Sequence, residues 1–166
     1  MSKNGLKSRL LKGYEEMIKI LFVCHGNICR STAAQMLLQQ MVDEAGLSGR
    51  FEIDSAATSR EEIGNTVYPP MKRALEAMGV PILHHRARQV KAAEYDDWDY
   101  IIGMDDENMW NLNRIFGGDP EKKCSMLMSW AGEDGREVDD PWYTGRHAEA
   151  ARQIERGCRA MLEQLV

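Results

Sequence analysis

The hydrophobic positions of this chain switch repeatedly between a run suited to strands and a spacing suited to helices. Residues 18–23, with Ile18, Ile20, Leu21, Phe22 and Val23, form an apolar, β-branched and aromatic run that predicts a strand covered on both faces. Beyond a short loop, Ala34, Leu37, Leu38 and Met41 recur at helical spacing, predicting a helix over about 31–45 that stops at a left-handed Gly46. Residues 51–56 read as a second strand and 58–65 as a loop. Tyr68-Pro69-Pro70 then opens a helix carrying Met71, Ala74, Leu75 and Met78, which ends at Gly79-Val80-Pro81. A basic connector over 84–90 precedes a third strand at 98–104. Asp105-Asp106-Glu107-Asn108 caps a helix to about 115, and Gly117-Gly118-Asp119-Pro120 makes a turn. Residues 124–128 read as a fourth strand. A polar loop over 132–143 leads to a last helix at about 145–165, with Ala148, Ala151, Ile154, Cys158, Met161, Leu162 and Leu165 on its apolar face.

Strands alternating with helices predict an α/β fold: one domain, a four-stranded parallel sheet, and helices on both faces. Ligands of such sheets bind beyond the carboxyl ends of the strands. Cys24, Ser55, Asp105 and the loop holding Asp140 all fall at that edge. The domain is expected to span 17–166, with 1–16 a loosely ordered N-terminal extension that has no apolar core of a signal peptide. The chain has 166 residues and a net charge of −5. No basic stripe is visible, which argues against a nucleic-acid partner. No apolar run approaches the ~20 residues that cross a bilayer, so no membrane partner is expected. The four cysteines match neither a zinc pattern nor a disulfide framework. With a candidate reactive thiol among them, a cytoplasmic protein is expected.

The chemistry concentrates after the first strand, in Cys24-His25-Gly26-Asn27-Ile28-Cys29-Arg30-Ser31. Gly26 and Asn27 permit positive φ. A loop of this kind entering a helix points several backbone N–H groups at one place, a nest for an anion reinforced by the helix N-terminus. Arg30 can fork onto two phosphate oxygens. The same field favours the thiolate of Cys24, and Ser31 can donate a hydrogen bond to it. Residues 25–31 thus form a candidate phosphate cradle around a candidate nucleophile. Alone, Cys24 would read as a buried corner residue; the whole string, with a strand before and a helix after, reads as a catalytic phosphate loop.

Val-Cys-x-Gly-Asn-x-Cys-Arg-Ser resembles the signature of the low-molecular-weight protein tyrosine phosphatases. Asp140-Pro141-Trp142-Tyr143 resembles the family's second landmark, an Asp-Pro followed by aromatics. The resemblance runs from about Met17, where members of the family usually start, to the C-terminus. It implies a cofactor-independent phosphatase needing no metal, with Cys24 as nucleophile, Arg30 as phosphate clamp and Asp140 as general acid and then base. A carboxyl beside a phosphate dianion is disfavoured from ionising, which suits an acid. The resemblance also implies a reversible Cys24–Cys29 disulfide, an Asn27 held by Ser31, Ser55 and His85, and a supporting carboxylate at Asp105. Trp142 and Tyr143 resemble the aromatic walls of the family's pocket, which suit a phosphotyrosine ring on a protein partner. The opposite wall departs from the pattern: Glu61 stands where a bulky residue is expected. Ile28 resembles the tyrosine-specific members, because the family's protein-arginine phosphatases carry Thr there. Arsenate reductase on this scaffold and a non-catalytic phosphate-sensing module are the alternatives. The protein is expected to act as a monomer or weak dimer.

Overall fold

The computed structural model describes residues 17–166; the expected N-terminal extension lies outside the described residues. Four strands, β1 (Ile18–Cys24), β2 (Phe51–Ala57), β3 (Tyr100–Gly103) and β4 (Cys124–Met126), form one sheet in the order β2-β1-β3-β4. Every pairing is parallel, with Cys24 opposite Ala57, Phe22 opposite Ile102 and Gly103 opposite Met126. The helices are α1 (Arg30–Glu44), α2 (Pro69–Ala77), α3 (Asp106–Phe116), α4 (Leu127–Trp130), α5 (Pro141–Thr144) and α6 (His147–Leu165).

The period of two along β1 divides the core. Ile18, Ile20, Phe22 and Cys24 face a large cluster with Leu37, Leu38, Met71, Ile154 and Met161, from α1, α2 and α6. Leu21 and Val23 face a smaller cluster with Val90, Trp98, Ile101 and Leu112, the last from α3. The strand is therefore buried on both sides, as its unbroken apolar run demands. The same alternation aims the Cys24 side chain toward α1.

Helix ends follow local chemistry. Pro69 occupies the first helical position of α2. Gly46 (φ 71°) follows α1, and Gly117 (φ 69°) closes α3 in the left-handed conformation. Asp105 caps α3 by accepting from Asn108 N–H at 2.7 Å.

Three expectations are corrected. Gly26 is not in the left-handed region; Asn27 alone in the loop is, at φ 61°. A side chain at Gly26 would instead put its Cβ 3.3 Å from Glu62 Cγ, so glycine serves a close approach. The fourth strand stops at Met126, because Leu127 and Met128 are buried in a helical turn against the large cluster. An apolar run that short carries no period to separate strand from helix. The polar loop before the last helix contains the extra turn α5, started by Asp140 at its N-cap and Pro141 behind it and stopped by Gly145 at φ 73°.

Gly157 lets α6 press onto α4: a Cβ there would lie 2.6 Å from Leu127 Cγ. Gly157→Ala gains about 1 kcal/mol of helix propensity but forces an overpacked contact that typically costs ~1–3 kcal/mol. A net loss of stability is expected in a urea melt, and the loss should shrink when Gly157→Ala is made in a Leu127→Ala background, where the clashing side chain is gone.

Candidate active site

The end of β1, the loop 25–29 and the first turn of α1 wrap one cavity of about 360 Å³. Cys24, the loop residues His25, Gly26, Asn27, Ile28 and Cys29, and Arg30 line it, together with Glu61, Glu62, Asp140, Trp142 and Tyr143. Ser31, Ser55, His85 and Asp105 lie behind this lining. No acceptor among the described residues takes the backbone N–H of Gly26, Ile28 or Cys29. Such N–H groups, next to the N-terminus of a 15-residue helix, suit an anion.

Asn27 organises the loop from beneath. It is fully buried, and its amide is satisfied throughout. Nδ2 donates to Ser31 Oγ at 2.8 Å and to Ser55 Oγ at 2.9 Å. Oδ1 accepts from the Arg88 N–H at 3.2 Å and faces His85 Nε2 at 2.9 Å. An amide oxygen only accepts, so His85 Nε2 carries its proton. Ser55 donates onward to Gln35 Oε1. The same Ser31 oxygen accepts from the Cys24 thiol, Sγ to Oγ 3.1 Å. Asn27 N–H approaches the same sulfur at 3.4 Å. Ser31 Oγ and the Asn27 N–H are thus the polar groups that meet the Cys24 sulfur.

Arg30 is buried, at 3 % exposure. Its Nη1 donates to Asp105 Oδ2 at 2.8 Å and to the Val138 carbonyl at 2.9 Å. Nη2 reaches Asp140 Oδ2 at 3.4 Å. Burial opposes the guanidinium charge, but Cys24, Asp105 and Asp140 together hold its pKa above the ordinary value. Nε and the second Nη2 proton remain for a ligand, a bidentate edge matched to phosphate. Asp140 Oδ1 accepts from the Trp142 N–H at 3.1 Å, so the carboxylate is both a helix cap and part of the cavity wall. Asp139 faces a different surface.

The four cysteines are free. Burial, then the charges of Cys24 and Asp140, push the Cys29 thiol up. Burial and Asp119 push Cys124 up to about 12, and burial raises Cys158. These three are thiols at neutral pH. The walls differ in character. Trp142 and Tyr143 are exposed at the mouth, and Trp142 leans on Tyr68 with ring centroids 5.2 Å apart. Opposite, Glu61 Oε2 lies 3.0 Å from the His25 ring, so the His25 side chain turns to the rim and only its backbone belongs to the cradle.

The low molecular weight phosphotyrosine protein phosphatase family model matches residues 19–166. The chain is 35 % identical over 150 residues to the low molecular weight protein-tyrosine-phosphatase YfkJ of Bacillus subtilis, covering 90 % of this chain and 96 % of that one. It is 37 % identical over 155 residues to the human low molecular weight phosphotyrosine protein phosphatase, covering 87 % and 94 %. The crystal structure of YfkJ superposes with a TM-score of 0.86 over 90 % of this chain and 94 % of that chain, at 35 % identity. The chain belongs to this family. It is an enzyme of the low molecular weight phosphatase class, built on the family's fold.

Three participants in this phosphatase site escaped the sequence reading. Gln35 completes the network under the loop; its signal is a polar residue inside the apolar run 33–38, one turn beyond Ser31. Val138 offers its carbonyl to Arg30, which a side-chain reading cannot find. Tyr68 props Trp142, although Tyr68-Pro69-Pro70 reads only as a helix start.

Burial holds the His85 pKa below the ordinary 6.5, against the pull of Asp54, while Arg88 and His84 lower it further. The unfolded chain therefore takes up this proton near pH 6.5, and the folded chain takes it up only at lower pH. Below 6.5 the unfolded state binds more protons, so acidification destabilises the fold. The urea midpoint should fall between pH 7 and 5.5, and it should fall less in His85→Gln, which keeps a donor for Asn27. Equal slopes in the two proteins would remove His85 as the cause.

Proposed function

We propose that this phosphatase hydrolyses phosphotyrosine on proteins through a phospho-cysteine intermediate. The observation that carries the reading is the gathering of Cys24, Arg30 and Asp140 around one cavity whose mouth is walled by Trp142 and Tyr143. The Cys24 thiolate attacks phosphorus in line, forming the S–P bond as the P–O bond to the tyrosine ring breaks. The loop N–H groups of residues 25–31 and the free edge of Arg30 hold the three equatorial oxygens as charge shifts toward the leaving oxygen. Asp140 gives its proton to the departing phenolate. Asp140, now ionised, takes a proton from water, which attacks phosphorus and releases the thiolate and inorganic phosphate. Ser31, its oxygen held by Asn27, turns its proton to Cys24 once the thiol ionises and stabilises the thiolate at rest and on departure.

Every group in this scheme comes from residues 17–166 of one chain, so a monomer suffices, and no metal or cofactor enters it. The domain is 17–166, and a reducing, cytoplasmic setting suits a working thiolate. The aromatic wall of Trp142 and Tyr143 fits the planar ring of phosphotyrosine, which phosphoserine lacks. Ile28 keeps the floor apolar, as in tyrosine-specific members of the family. Glu61 and Glu62 make the other wall acidic and favour substrates with basic residues on that side.

The first test is hydrolysis of phosphotyrosine, phosphoserine and phosphoarginine peptides side by side, metal-free and with reductant. Phosphotyrosine should be strongly preferred. Preference for phosphoarginine would make the Glu61 wall the selector instead, and no turnover would overturn the reading. Cys24→Ser should abolish turnover while keeping vanadate binding. Asp140→Ala should cost about 10²–10⁴ in rate for alkyl or unactivated aryl phosphates and far less for an activated aryl phosphate. Equal losses on both would exclude Asp140 as the acid.

A further inference from the structure

We infer that a second groove, beside the catalytic cleft, binds an acidic stretch of the substrate polypeptide that flanks the phosphotyrosine. The inference rests on the phosphotyrosine reading and names the sequence context that the enzyme prefers. The groove lies between the loop 133–139 and the first turns of α6, and has a volume of about 390 Å³. Arg136, Arg146, Arg152 and Arg156 line it, against the carboxylates of Asp139 and Glu149. In a chain of net charge −5, four guanidinium groups around one concavity form a local field of opposite sign.

The arginines are not all neutralised internally. Arg156 pairs with Glu133 at 2.8 Å, and Arg146 reaches Glu149 at 3.7 Å. Arg136 and Arg152 have no carboxylate within salt-bridge distance among the described residues, and their side chains are exposed. Guanidinium forks favour carboxylate and phosphate oxygens.

The groove is also held in place. The Glu137 carbonyl accepts from Gln153 Nε2 at 2.9 Å, the Glu137 carboxylate from the Asp106 N–H at 2.8 Å, and the Val138 N–H donates to the Met104 carbonyl at 2.8 Å. Asp139 lines the groove, and its neighbour Asp140 lines the catalytic cavity. Consecutive Cα atoms are ~3.8 Å apart, so a chain whose phosphotyrosine enters the cavity can reach the groove within a few residues.

The cavity and the groove carry opposite charge. β2, which leads into Glu61 and Glu62, lies on one side of β1, and β3 and β4 lie on the other. Glu61 and Glu62 line the catalytic cavity, whereas Arg136, Arg146, Arg152 and Arg156 line the groove. An acidic segment is therefore directed to the arginine groove and away from the Glu61 rim.

The test compares phosphotyrosine peptides with three-residue Asp/Glu, Lys/Arg or Ser/Gly runs on either flank, using wild type and the Arg136→Gln/Arg152→Gln double variant. At least one acidic placement should lower KM in wild type and lose that advantage in the variant. The expected loss is roughly three- to tenfold in kcat/KM, the range that two solvent-facing ion pairs supply. It should appear in KM rather than kcat and shrink with salt. Free phosphotyrosine should be hydrolysed equally by both proteins. Indifference of wild type to acidic flanks, or an equal loss on free phosphotyrosine, would overturn the inference. Binding of fluorescent unphosphorylated acidic peptide to Cys24→Ser protein, with and without the two arginine changes, reads the groove without turnover. Failure of that binding overturns the groove even where phosphotyrosine is hydrolysed, and failure of hydrolysis with arginine-dependent binding overturns only the catalytic reading.

Discussion

The site depends on one buried amide. Asn27 holds a left-handed backbone conformation that costs a non-glycine residue free energy, and it does so with no solvent to satisfy its side chain. A buried amide left without partners would cost about 1–3 kcal/mol per group. Ser31, Ser55, His85 and the Arg88 backbone remove that cost and, in doing so, fix the bend of the loop. The network also sets the direction of the protons. Because Asn27 Nδ2 can only donate, neither serine points its proton at it: Ser55 donates to Gln35, and the Ser31 oxygen also accepts from the Cys24 thiol. The hydrogen bond at the Cys24 sulfur is thus tied to how a core amide is satisfied on the far side of the loop.

Arg30 imposes the second constraint. A guanidinium at 3 % exposure needs anionic partners, and it finds them at two helix starts. Asp105 caps α3 with Oδ1 and grips Arg30 with Oδ2. Asp140 caps α5 with Oδ1 and approaches Arg30 with Oδ2. Each carboxylate is oriented by backbone N–H groups before it meets the arginine, so little side-chain freedom is lost in forming the cluster. The contacts differ in closeness. Asp105 is the tight, structural partner at 2.8 Å; Asp140 sits at 3.4 Å, a looser contact.

Much of this was legible because the chemistry and the fold share residues. The apolar run of β1 and the helical spacing after Ser31 located the loop, and the sheet's parallel order carried Ser55, Asp105 and Asp140 to the same edge as Cys24. What stayed hidden was backbone and tertiary. Val138 contributes a carbonyl, which its identity does not signal. Leu127 and Met128 coil because Gly157 admits them against α6, a contact between residues thirty apart. Gly26 looked like a conformational glycine and proved to be a steric one, because Glu62 crosses above it. Asp140-Pro141 carried two signals at once, a candidate acid and a helix start, and attention to the first obscured the second.

The doubled use of that dipeptide has a further consequence. A cap fixes Asp140, and Val138 is fixed twice, through its N–H to Met104 and its carbonyl to Arg30. Asp139 lies between two anchored neighbours and faces a separate surface from Asp140. The stretch 138–140 is therefore a rigid partition with the catalytic cavity on one side and the arginine groove on the other. A rigid partition transmits little motion but preserves spacing. A change confined to Arg136 or Arg152 therefore leaves the carboxyl of Asp140 where its own cap holds it.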